Sequence, residues 1–148
     1  MKIENGTVVM VLDGAKMLLF RNDGDEKYPV LATLAHEEVD NPPSREQGTD
    51  TPGRTQSSMG DGRSSSYGET DWHQQSEDKI ARHAAEVLER AASRLKDEGV
   101  IVIAAPRTLG EVRKHYGRET SKRLLGEISK DLAGHMTDHI IEVIAAHS

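Results

Sequence analysis

Between Arg107 and Lys130 the chain carries 7 basic and 3 acidic side chains, net +4, whereas residues 1–106 carry 12 basic and 19 acidic, net −7. Arg107, Arg113 and Lys114, with Arg118, Lys122 and Arg123 close behind, supply guanidinium and ammonium groups that suit phosphate oxygens. A helix starting at Thr108 and Leu109 would aim backbone N–H groups at the same anion. The competing reading is a solvated helix face in which Glu111 and Glu119 interleave with the cations. Tyr116 is the one aromatic at hand, which makes the segment a poor platform for stacking single-stranded bases.

Other chemistry-bearing pairs are weaker. Asp13-Gly14 reads first as a turn, the carboxylate bonding local amides, and second as a functional Asp13 pairing with Arg107 across the sheet ends. Lys130-Asp131 reads as a surface ion pair or turn rather than a catalytic pair, since no second carboxylate or activated nucleophile accompanies it. His135 and His139 are four apart, but with Thr137 as helix cap they do not share a helix face, and no third ligand has diagnostic spacing. The serines around Tyr67 lack a nucleophile motif and a base. No metal and no cofactor is expected.

Composition narrows the classes. The chain of 148 residues has no cysteine, which removes disulfides, thiolate catalysis and Cys-based metal sites and suits a reducing cytoplasm. The apolar run in "MKIENGTVVMVLDG" is too short for a signal peptide, and no run approaches a membrane span. A formal charge of −6 argues against broad affinity for nucleic acid. If a polyanion is bound, the basic segment after residue 106 is the place.

These residues need a scaffold, and the apolar pattern predicts one α/β domain over 1–148. Thr7–Leu12 reads as a strand covered on both faces, and "AKMLLFRN" pairs with it through Asp13-Gly14 as a hairpin. Tyr28–His36 is a third strand. From Glu37 to Gln75 no period persists, and the segment reads as a long flexible loop. Ile80, Ala84, Val87, Leu88, Ala91 and Leu95 then mark an amphipathic helix over 76–98, capped by Ser76 and stopped by Gly99. Val100–Ala105 reads as a central strand. Thr108 and Glu111 have the spacing of a capping box for a helix from Leu109 to about Tyr116. "SKRLLGEISKDL" fits either a helix or a fifth strand with a bulge at Gly126. Thr137 caps a last helix burying Ile140, Val143 and Ile144. The fold class is a mixed sheet of about four to five strands packed with helices.

The stretches "VLDGAKMLLF", "SSMGDGRSSSYG" with the helix after it, "APRTLGEVR" and "EISKDL", in that order, resemble the bacterial host attachment protein family, which is related to the middle domain of eukaryotic and archaeal peptide-chain release factors. The resemblance implies that "RLLGEISKDL" is a strand and that the loop before the main helix is the working end of the domain. In the release factors that loop bears a Gly-Gly-Gln tip that promotes peptidyl-tRNA hydrolysis. This chain has none, because Gln74 and Gln75 follow "ETDWH", so release-type hydrolysis is not expected. The resemblance points to a non-enzymatic binding protein associated with the ribosome, RNA or a protein partner. The loop would touch that partner through its serines, Arg63 and Tyr67. The alternatives are a protein-interaction or host-attachment module, and a hydrolase or nuclease using sheet-end and loop residues. A homo-oligomer is compatible with all three.

Overall fold

The computed structural model describes residues 1–38 and 65–147, with side chains from residue 77 onward in the second stretch. Five strands form one sheet: β1 (Val8–Leu12), β2 (Lys16–Asn22), β3 (Leu31–Glu38), β4 (Val100–Ala104) and β5 (Leu124–Ser129). The spatial order is β3-β2-β1-β4-β5. β1 pairs antiparallel with β2, as does β2 with β3, whereas β4 lies parallel between β1 and β5. Four helices accompany the sheet among the described residues: α1 (Ser65–Ser93), α2 (Pro106–Arg113), α3 (Arg118–Arg123) and α4 (Thr137–Ala146).

The two central strands explain the layering. "VVMVL" and "VIVIA" are buried at every position, as unbroken apolar runs must be when both faces of a sheet are covered. Alternate residues serve opposite layers. Val8, Met10, Leu12, Val100 and Val102 meet Ile80, Ala84, Leu88 and Ala92 of α1 and Leu109 and Val112 of α2. Val9, Val11, Ile101, Ile103 and Ile128 meet Ile140 and Ile144 of α4. Four alanines on the buried face of α1 let its backbone come close to the sheet. None of the described helices is long and apolar enough to cross a membrane.

A buried amide completes the hairpin side. Asn22 is fully buried, its Nδ2 donating to the carbonyls of Ile3 at 2.9 Å and Glu4 at 3.2 Å. Its Oδ1 accepts from the amides of Gly24 at 2.9 Å and Val30 at 2.8 Å. One side chain thereby ties the N-terminal segment to the turn before β3.

Both edge strands are irregular. Leu34 is skipped in the β2–β3 register, and Leu125 is skipped in the β4–β5 register. Both leucines are about half exposed, at 51% and 54%.

Several expectations shift. The main helix begins at Ser65 rather than Ser76 and ends at Ser93 rather than near Gly99, so the expected loop over 37–75 gives way to strand at 37–38 and helix at 65–75. The mobility expected of the intervening residues lies outside the described ones. Thr108 forms no capping box: Pro106, with its fixed φ and no N–H to satisfy, starts α2 earlier and leaves Ala105 as N-cap. The β5 bulge falls at Leu125, beside Gly126. Met136 rather than Thr137 is the N-cap of α4, and Val143 is only partly buried.

Candidate functional site

Sheet register divides the basic candidates into two groups. Leu12 pairs with Ala104 and Ala104 with Ser129, so Asp13, Arg107 and Lys130 follow the aligned C-terminal ends of β1, β4 and β5. Val100 pairs with Leu124, so Lys122 and Arg123 sit at the opposite end, a strand length of about 17 Å away.

At the C-terminal end the groups are engaged locally. Asp13 Oδ1 accepts from the amides of Ala15 and Lys16, both at 2.7 Å, the aspartate-capped turn that its sequence suggests. Arg107 pairs with Glu77 of α1 at 3.5 Å rather than with Asp13. Lys130 is exposed. Arg63 lies outside the described residues, and Tyr67 falls within α1 without a described side chain.

On the helical layer, Arg113 closes a two-point pair with Glu127 of β5, Nη2 at 2.6 Å and Nε at 3.1 Å, and the Tyr116 hydroxyl donates to the same carboxylate at 2.7 Å. Arg113 holds the Glu127 carboxyl below the usual range, against the opposing effect of burial, and Tyr116 adds to it. Burial and the Glu127 bond push the Tyr116 phenol far above its ordinary value. Glu127 is thus a fixed acceptor rather than a poised base.

A second carboxylate builds α3. Glu89 of α1 accepts from the amides of Glu119 and Thr120 and from the Thr120 hydroxyl, each at 3.0 Å. Burial works to raise its pKa, and the two amides and the hydroxyl overcome it, leaving the carboxyl below its ordinary value. Gly117 is required for this approach, since a Cβ there would stand 2.3 Å from the Glu89 carboxylate. The other end of α3 is held by Arg123, whose Nη1 donates to the Lys96 carbonyl at 2.6 Å while Nε faces Glu119 at 3.4 Å.

With Glu119, Thr120 and Arg123 turned inward, α3 presents Arg118, Ser121 and Lys122 to solvent. Their i, i+3, i+4 spacing places them on one face. Arg118 and Lys122 make no ion pair among the described residues. Lys114, at the end of α2, is exposed as well and carries Glu111 at 3.3 Å. Of the expected anion-binding residues, Arg113 and Arg123 are therefore structural anchors, while Lys114 and Lys122 face outward. Ser121 and Glu89 escaped the sequence reading. Ser121 becomes visible only once Thr120 is known to be buried, and Glu89 acts across 30 residues.

His135 and His139 stack with ring centroids 4.9 Å apart, and His139 Nδ1 lies 3.6 Å from Glu142. No group of three or more His, Asp or Glu arranged for a metal occurs among the described residues.

A family model described as bacterial archaeo-eukaryotic release factor family 12 matches residues 6–144. A search of curated proteins gives no match. The match covers all five strands together with α1, α2 and α3, and runs to Ile144 within α4. The mixed sheet and main helix that the apolar pattern predicts are present, as is the strand that the release-factor relation implies at β5, and the chain belongs to bacterial archaeo-eukaryotic release factor family 12.

Proposed function

We propose that the protein is a non-enzymatic binding protein that associates with ribosomal RNA or the ribosome through the outward face of α3 and the end of α2. The observation that carries this reading is the stripe Lys114, Arg118, Ser121 and Lys122. Arg118 and Lys122 are solvent-facing cations, with the neutral Ser121, on a helix held at both ends, and Lys114 is an exposed cation at the end of α2, in a chain whose family is named for release factors. Phosphate contacts need charge held in place more than they need a deep pocket. Glu119 and Glu127 pair with Arg123 and Arg113 rather than with Arg118 or Lys122, whereas Glu111 pairs with Lys114 and offsets part of its charge. A binding role also agrees with the chemistry of Glu89 and Glu127, whose lone pairs are occupied by donors and whose pKa values are lowered rather than tuned towards neutrality. The chain's lack of cysteine suits the reducing compartment in which such a partner resides.

The test is co-sedimentation of the full chain with ribosomes through a dense cushion at low and raised salt. The protein is expected to pellet at low salt, to be released by salt or nuclease, and to be lost from the pellet when Arg118→Glu and Lys122→Glu are combined. Retention of that double variant would overturn the reading. A protein-contact alternative is favoured by Tyr28, Val30 and Leu34, which leave apolar surface exposed on the β3 side of the sheet. It requires that pelleting survive nuclease and respond to changes at those three residues instead.

A further inference from the structure

We propose that Asn5 is a site of spontaneous deamidation that the fold holds shut, so that an opening of the N-terminal segment is converted into a lasting covalent change. Deamidation begins when the amide nitrogen of the following residue attacks the asparagine carboxamide carbon. The chain has three asparagines, and their surroundings separate them. Asn41 precedes Pro42, whose nitrogen has no proton to give up. Asn22 is buried, with Nδ2 and Oδ1 both engaged. Asn5 is exposed and precedes Gly6, where no side chain hinders the attack.

The fold requires that glycine. Residues Glu4 to Thr7 form a turn closed by the Thr7 amide on the Glu4 carbonyl at 3.0 Å, and Gly6 within it has a φ of 87°. A Cβ at Gly6 would stand 2.7 Å from Cγ of Glu98. A reactive Asn-Gly pair is therefore built into the turn, and the same structure blocks its reaction twice. The Gly6 amide, which must lose its proton to attack, donates to the Asn22 carbonyl at 2.8 Å, and the Asn22 amide returns a bond to the Thr7 carbonyl at 2.9 Å. The Asn5 carboxamide, which must turn back onto that nitrogen, is held by Nδ2 on the Gly24 carbonyl at 2.6 Å. Both bonds have to open together before the ring can close, which makes local opening the gate.

In the step itself, the Gly6 nitrogen loses its proton to solvent base and forms a bond to Asn5 Cγ. The Cγ–Nδ2 bond breaks, and Nδ2 takes up a proton and leaves as ammonia. Water then opens the cyclic imide at one of its two carbonyls. Opening at Cγ leaves aspartate, and opening at the main-chain carbonyl leaves isoaspartate, with the chain rerouted through the side chain. Neither product can return. Aspartate sets a carboxylate against the Gly24 carbonyl in place of a donor. Isoaspartate also lengthens the main chain ahead of Gly6 and puts its amide out of step with Asn22. Ile3, buried in the α4 layer two residues before the turn, loses its tether in either case.

The experiment incubates the full chain at mildly alkaline pH, folded and in denaturing urea. Peptide mass spectrometry follows replacement of NH2 by OH at each asparagine, with fragmentation that separates aspartate from isoaspartate. Asn5 is expected to react in urea ahead of Asn22 and Asn41, and at least about tenfold more slowly in the folded chain. The ratio of the two rates should match the exchange protection of the Gly6 amide within about threefold, since one opening controls both. Asn5→Gln, whose longer side chain must close a larger and slower-forming ring, should lose the signal. In the converted fraction, separated by its added charge, the Gly6 amide should exchange at least about tenfold faster than in the parent. Asn5 remaining intact in urea would overturn the site. Equal rates in folded chain and urea would overturn the gate, and a converted chain with parental Gly6 protection would overturn the loss of the tether.

Discussion

Glu89→Ala removes the acceptor on which α3 is built, and its consequence can be worked from three bonds. The amides of Glu119 and Thr120 and the Thr120 hydroxyl all end on this carboxylate at 3.0 Å. Losing a side-chain cap costs about 1 kcal/mol. Thr120 is completely buried, so its hydroxyl is left without its partner at a cost of about 1–2 kcal/mol. The sum is about 2–3 kcal/mol, or a fall in melting temperature of about 4–10 °C for a chain of this size. Glu89→Gln makes the sharper comparison. Oε1 serves both Thr120 donors, whereas Oε2 serves the Glu119 amide. Glutamine keeps the first oxygen and turns an NH2 towards that amide, so about 1 kcal/mol should be lost. Urea unfolding gives the free energies, and amide exchange at Glu119 and Thr120 localises them. Both variants lying within about 0.5 kcal/mol of the parent, the range of an ordinary surface change, would refute the reasoning.

Leu88→Ala, at a fully buried position between α1 and the sheet, should destabilise by about 2–5 kcal/mol in the same urea assay. Asn22→Asp replaces the Nδ2 that donates to Ile3 and Glu4 with an oxygen facing two carbonyls and should cost at least about 2 kcal/mol; a smaller loss would show that water replaces the bonds. Glu127 has a folded pKa lowered by Arg113, so its stabilising contribution is complete above the unfolded carboxylate value of about 4.3 and is lost as pH falls through the lower folded value. Tyr116→Phe weakens that lowering. The stability gap between variant and parent should be widest near neutrality and narrow below about pH 4, which denaturation at several pH values will show.

The elements that hold the core were written plainly in the chain. Val8–Leu12 and Val100–Ala104 are β-branched or apolar throughout, and only a doubly covered strand can bury such a run. Ile80, Ala84 and Leu88 recur at helical spacing and are buried. Less legible was the start of α1, because "SSYGETDWHQQ" combines serine, glycine and threonine, which individually disfavour helix, without a strong apolar period. The two-sided fate of the cations was hidden as well. Nothing local distinguishes Arg113 and Arg123, which tie their helices to groups distant in sequence, from Lys114, which meets Glu111 one turn back, and Lys122, which makes no ion pair among the described residues. That difference is decided by Glu127 and by the Lys96 carbonyl, both brought in by the sheet. The Thr108–Glu111 pattern failed for a local reason, since Pro106 initiates the helix two residues ahead of it.

The skipped leucines at the two margins of the sheet bear on how copies of this chain meet. A regular outer strand offers an even row of amides and carbonyls that a neighbour can extend without limit. At Leu34 and at Leu125 that row is broken by an extra residue, which bends the strand and puts the next donors out of step. Both breaks disfavour growth of the sheet from molecule to molecule. Because α4 lies on one side of the sheet and α1 to α3 on the other, an assembly through α4 keeps the Arg118–Lys122 stripe open while one through α3 closes it.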